Sequence, residues 1–430
     1  MTTIVNPSRT LLCSAFALLF IAGCSSATAT TEKQPAPSEL TETLKSPLAA
    51  LGEELALVQQ SGDMPDRFAR DAAEKLGNRK SFIAEATKIF EYVDTVPLGE
   101  RAAKMLEAPG LRLSAIEVEA LRTWRERFSA QREQAADLVK RDPPLGLAPH
   151  AAYANDFTFL DAFDAACALL VFDAALSINA GSASDAIASL AEILHLARKL
   201  EETPLVVMRV HAAHVRRRAL QVALSIAASH DRRCYEQLVA LTREHLAGWT
   251  PDTAALRTER ALGLTIYEHI RRGEFLSLVS QDDYQRLKRE QLLEVTRRSV
   301  RQNIDLDETF YLLALRTLIE VADRPYSERR DVMQQIRERL SSLENSPEFP
   351  YLAGNYLLRD LEAAQLAITQ DRARWEAFQL AFNASLQGPP ASLPVNPLTG
   401  SPFELQQIAT GWSVSVDDNE TISVAGLSGI

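Results

Sequence analysis

The sequence predicts a mainly α protein, a multi-helix bundle or irregular stack of helical hairpins finished by a small C-terminal antiparallel β meander. Three observations lead there. Across residues 46–386 Ala, Leu, Glu and Arg dominate, and the 430-residue chain holds only 17 glycines, a composition that favours helix. Capping residues, prolines and glycines punctuate that stretch at helical lengths. The tail after residue 387 switches to short alternating apolar runs separated by turn residues, the pattern of strands.

The N-terminus precedes all of this with an address. Arg9 is followed by an apolar run ending at Cys24. The run is too short to cross a bilayer as a helix, and its flanks suit a signal peptide over residues 1–23. Ile21-Ala22-Gly23-Cys24 resembles the bacterial lipobox, an aliphatic residue and two small ones before the cysteine that receives diacylglycerol. That resemblance implies a lipoprotein acylated (palmitate included) at Cys24 and attached to the membrane of the cell envelope. Ser25 in place of aspartate implies the periplasmic face of the outer membrane in an organism with two membranes. Residues 24–45, polar and small at first with Pro35 and Pro37, are expected to form a lipidated flexible tether.

Helices follow in order. Ser46-Pro47 and Thr203-Pro204 each place a capping side chain before a proline. Ser114 to Glu117 is a capping-box pattern starting a long helix to about Lys140. Gly77, Gly181 and Gly273 fall at expected helix ends. Pro143, Pro144 and Pro149 interrupt the 141–150 stretch, which is taken as a joint between an N-terminal helical lobe (46–140) and a central one (151–386). The clearest hairpin joins a helix around 159–179, through Gly181 to Asp185, to a helix with Ala186, Leu190, Ile193, Leu194 and Ala197 on one face. It resembles a tetratricopeptide pair, with Ala174 and Ala186 at small packing positions, but has no second copy at that period.

In the 387–430 appendage, Phe403-Glu-Leu, Trp412 to Val416 and Thr421 to Val424 read as strands packed on the preceding helix, since so small a sheet is unstable alone. The preceding Asn396-Pro-Leu-Thr-Gly-Ser-Pro402, with the signal and the Ala/Leu-rich helices, looks like a set of uncharacterised secreted helical proteins of environmental bacteria. Their tail is in turn similar to the C-terminal part of type II secretion pseudopilins. The likeness covers about 388–425, with a looser helical likeness over about 155–275. Asn396 stands where that pattern has aspartate, and Trp412-Ser413-Val414 where it has Tyr-Ser-x-Gly. The family has no assigned activity to transfer.

Charge narrows the function classes. The net charge of −11 becomes −12 once Arg9 leaves with the signal, which disfavours nucleic acid and charge-driven binding to anionic lipid. Beyond Cys13 and Cys24 only Cys167 and Cys234 remain. They could pair in an oxidising periplasm, or Cys167, set among apolar residues, is a buried small side chain.

One constellation could carry chemistry. Glu192 and His195, then His211 and His214, are pairs three residues apart and so share helix faces. With Asp161 or Asp164 they could form a zinc or iron site. Set against this, pairs at such spacing arise by chance in helical chains, and His211 and His214 adjoin Arg216-Arg217-Arg218. Asp417, Asp418, Asn419 and Glu420 read as a polar turn rather than a calcium loop. No cofactor is implied. The expected function is a non-catalytic envelope scaffold or protein-binding component, with a membrane contact through Cys24 and an envelope protein as partner. The alternatives are a metal-dependent helical enzyme and an accessory part of a secretion or pilus-like system.

Overall fold

The computed structural model describes residues 37–90, 113–147, 157, 159–229, 232–274, 284–285, 288–291, 294, 300–344 and 346–425. They contain thirteen α-helices and a three-stranded antiparallel sheet, and 73% of these described residues are helical. The expected mainly α class with a C-terminal meander therefore holds. The signal segment and Cys24 lie outside the described residues.

The first helix, α1 (Pro37–Gln60), runs straight through Ser46-Pro47. Helix thus replaces tether over 37–45, and Pro47 sits inside the helix rather than at its start, at the cost of one backbone hydrogen bond. The next elements are α2 (Pro65–Leu76), α3 (Phe82–Phe90), α4 (Ala115–Arg127) and α5 (Ser129–Arg141). The Ser114 capping box forms as expected, with Ser114 Oγ accepting from Glu117 N and Glu117 Oε2 accepting from Ser114 N. The helix it starts does not run to Lys140. It breaks at Phe128 (φ −110°, ψ 21°), whose ring packs on Trp124 with centroids 4.6 Å apart. The break lets Arg125 and Arg132 clasp the two oxygens of the buried Asp173, at 2.9 and 2.5 Å.

The centre of the molecule is α6 (Phe159–Asn179), α7 (Ala183–Glu201) and α8 (Val206–Ala228). The predicted hairpin is present: Gly181 takes φ 76° at the turn, and Ala174, Ala186, Leu190, Ile193 and Ala197 are fully buried. Close approach at those alanines is what lets α6, α7 and α8 pack side by side. Thr203 does not cap α8. The helix starts two residues later, and Glu259, from another helix, accepts its first amide at 2.8 Å. Burial pushes the Glu259 carboxyl up to about 7.

Around this centre lie α9 (Arg232–Ala247), α10 (Asp252–Arg271), α11 (Ile304–Val321), α12 (Tyr326–Leu343) and α13 (Leu361–Gln387), with a π-helical turn at Ala353–Leu357. Helices α3 and α4 pack on α6, while α1 and α2 pack on α11 and α10, so helices from either side of the 141–150 joint share one core. The joint itself is held by the buried Lys199, whose ammonium meets Asp142 and Glu202 at 2.5 Å and Pro143 O at 2.7 Å. Cys167 and Cys234 are both buried and neither forms a disulfide.

Strands β1 (Glu404–Ile408), β2 (Gly411–Ser415) and β3 (Thr421–Ala425) form the sheet in sequence order. Val414 and Val416 face α13 with Ile422 and Val424, all buried. Asn396 ties the preceding loop to the sheet, its amide Nδ2 donating to Val416 O while its Oδ1 accepts from Leu398 N. The carbonyls of Pro397 and Leu398 in turn accept the Tyr326 and Ser327 amides at the start of α12. The 417–420 segment is a turn, with Asn419 N on Asp417 Oδ1 and Glu420 held bidentately by Arg374.

Candidate functional site

The four residues nominated from sequence do not converge. Glu192 forms an ion pair with Arg132 of α5 at 2.9 Å, and His195 lies 3.2 Å from Asp142. His211 is buried 3.5 Å from Asp164 of α6, and the exposed His214 accepts from Arg218. Each pair shares a helix face as the spacing required, but α7 turns its pair toward α5 while α8 turns its own toward α6. Among the described residues no group of three or more His, Cys, Asp or Glu is placed to hold a metal.

The concentration of buried charge lies elsewhere, where α7, α8, α10, α12 and α13 meet. Arg216 is fully buried and bridges helices. Its Nε meets Asp371 at 2.5 Å, its Nη1 and Nη2 reach Glu201 at 3.0 Å, and its guanidinium stacks 4.2 Å over the Trp249 ring. Arg209, two turns earlier on the same face of α8, meets Glu201 at 3.4 Å and Asp252 at 2.6 Å. Asp252 passes the chain on to Arg329 at 2.6 Å, and Arg329 donates to Thr369 and Gln365 of α13. Three arginines balance three carboxylates, which is how charges survive burial. Burial works against the charge of Arg216, yet Asp371 and Glu201 outweigh it and keep the guanidinium firmly protonated.

His245 is packed between Trp249 and Trp375, with both ring nitrogens unpartnered. Burial, with Arg216 and Arg198 nearby, pushes it down to about 3. It is a neutral member of the floor at ordinary pH.

Over this floor opens a groove of about 1180 Å³, above the roughly 300–1,000 Å³ usual for small-molecule sites. Trp249, Asp252, Arg329 and Thr369 form its base. One wall is α13, which turns Gln379, Asn383 and Gln387 toward the cavity. The opposite wall is the proline-rich loop that follows α13. The sequence builds that wall locally. Gly388 (φ 86°) ends the helix in a left-handed conformation that suits glycine, its amide closing on Ala384 O, and Pro389-Pro390 cannot resume the helix.

Chemically, the groove combines polar and apolar side chains. Its candidate bases, Asp252 and the Asp371 beneath it, are both engaged by arginines, and burial pushes the Asp371 carboxyl up to about 6 against the pull of Arg216. Amide side chains, an indole face and proline rings remain for a partner. No family model, curated protein or solved structure matches the chain.

Sequence reasoning passed over Trp249, Asp252 and the α13 amides. One signal was present. Gln379, Asn383 and Gln387 recur every four residues just before a Gly-Pro-Pro stop, and that spacing stacks them along one helix face. The arginine–carboxylate chain carried no such signal, because its members come from five helices.

Proposed function

We propose that this protein is a lipid-anchored component of the bacterial cell envelope whose helical body binds another protein without catalysing a reaction on it. The groove carries the reading. It is large, its floor is cross-braced by compensated charge, and its acids are tied into ion pairs with arginines. The Ile21-Ala22-Gly23-Cys24 segment supports the anchor. Acyl chains contribute about 0.8 kcal/mol per buried methylene, so several chains give durable attachment while the body stays in water.

The test is in-cell photo-cross-linking of the full chain from position 395, where the Val395 side chain is 54% exposed on the groove wall, with position 116 on α4 as control. One stoichiometric envelope protein captured from 395 and not from 116 is the expected result. No adduct from 395 overturns the binding reading. Alkynyl-palmitate labelling checks the anchor: label should be present on the natural chain and lost, with release from the membrane, in Cys24→Ala. A Cys24→Ala chain that keeps label and membrane attachment overturns it.

A further inference from the structure

We propose that the groove takes its partner as an extended polypeptide segment, read through its main chain by the carboxamides of Gln379, Asn383 and Gln387. The inference rests on the protein-binding reading above and names what that partner presents. Successive residues of this ladder are four apart on α13, so they stand about 6 Å apart along the helix. An extended chain repeats every two residues, about 6.6 Å. Over the ladder the mismatch totals about 1 Å, which flexible amide side chains absorb.

The chemistry matches as well as the spacing. Each carboxamide offers N–H donors and a carbonyl acceptor, the complement of one peptide unit. Among the described residues these three side chains make no hydrogen bond of their own, although Gln379 and Asn383 are half-buried. Charge is not required of the occupant, because the charged residues nearest the ladder pair locally, Arg372 with Glu376 and Arg324 with Glu328, leaving Asp323 as the one lining charge without an ion pair among the described residues. In an extended segment alternate side chains leave the ladder on one side, where Trp249, Ile368, Leu380 and Val395 supply apolar surface. From Thr369 to Gln387 the wall is about 27 Å long, which accommodates about eight extended residues.

The probe is a phage-displayed random dodecapeptide library selected on the full chain in detergent, with counter-selection on the Gln379→Ala/Asn383→Ala/Gln387→Ala variant. The ladder lies on the solvent side of α13, and circular dichroism verifies that the variant retains its helices. Peptides from the selection should bind the triple variant at least about tenfold more weakly. Backbone N-methylation of one alternate set of residues should weaken binding equally, and methylation of the other set should not, as expected of a strand with one edge on the ladder. Failure to select any peptide overturns the inference. So does affinity indifferent to the triple substitution, or to methylation in both registers. If those results appear while the adduct from position 395 persists, the extended-segment inference falls and the protein-binding reading stands. Loss of the adduct as well removes both.

Discussion

His245 shows how one residue's surroundings set its behaviour. It sits in a sheath of tryptophan with neither ring nitrogen partnered, and burial pushes it down to about 3 against an ordinary 6.5. In the unfolded chain the imidazole takes up a proton below about pH 6.5, and in the folded chain it does not until about 3. Acidification through that window therefore favours unfolding. The expected outcome for His245→Phe is a thermal midpoint that falls less between pH 7 and pH 4 than that of the natural chain. Equal falls in the two proteins would show that His245 is not the desolvated group described. Asp173 makes the complementary point. Its carboxylate lies in an apolar helix, and two arginines from the broken α4–α5 pair reach it.

At the scale of elements, several boundaries followed from local chemistry and several did not. The Ser114 capping box and the glycines at 77, 181 and 273 end or begin helices where side-chain and backbone rules place them. Phe128 broke a helix that local propensity alone would continue, since its ring and the two arginines gain partners only when the axis bends. Thr203 lost its capping role to Glu259, a partner 53 residues away from Val206.

The tail gives the sharpest case. Asn396 was visible as a departure from aspartate, and its structural reason is a donor: Nδ2 bonds Val416 O, which a carboxylate cannot do. Asn396→Asp should cost about 1–3 kcal/mol by leaving that buried carbonyl unpaired. Hydrogen exchange should quicken across β2 and β3 while α6 to α8 stay protected. Unchanged protection of the sheet would remove Asn396 as its anchor.

For the molecule as a whole, the fully buried Arg216 works as a central tie. It connects the end of α7 through Glu201, the middle of α13 through Asp371, and the groove floor through Trp249. Arg216→Met leaves Asp371 buried without its cation and Glu201 with Arg209 alone, a loss expected at about 3–5 kcal/mol. Urea denaturation measures it, and a loss under about 1 kcal/mol would mean that the carboxylates find water or other partners at no great cost. Because Asp371 also stands beneath the groove, Arg216→Met should weaken the proposed partner binding along with the fold, and the α13 ladder variant should affect that binding alone.

The sequence by itself determined the helical class, the main hairpin with its buried alanines, several helix ends and the strands of the tail. Those features depend on residues within a few positions of one another, where periodicity, caps and φ preferences act. It also carries the signal-like N-terminus ending at Cys24, whose meaning rests on a short contiguous motif. Only the tertiary structure decided the site. Pairing at three- and four-residue spacing told which side chains share a face, but not which neighbour that face meets, so Glu192 and His195 parted from His211 and His214. Arg216 and Asp371 are 155 residues apart in the chain. Their contact depends on how α8 crosses α13, a geometry set by the packing of the whole core rather than by any local pattern of residues.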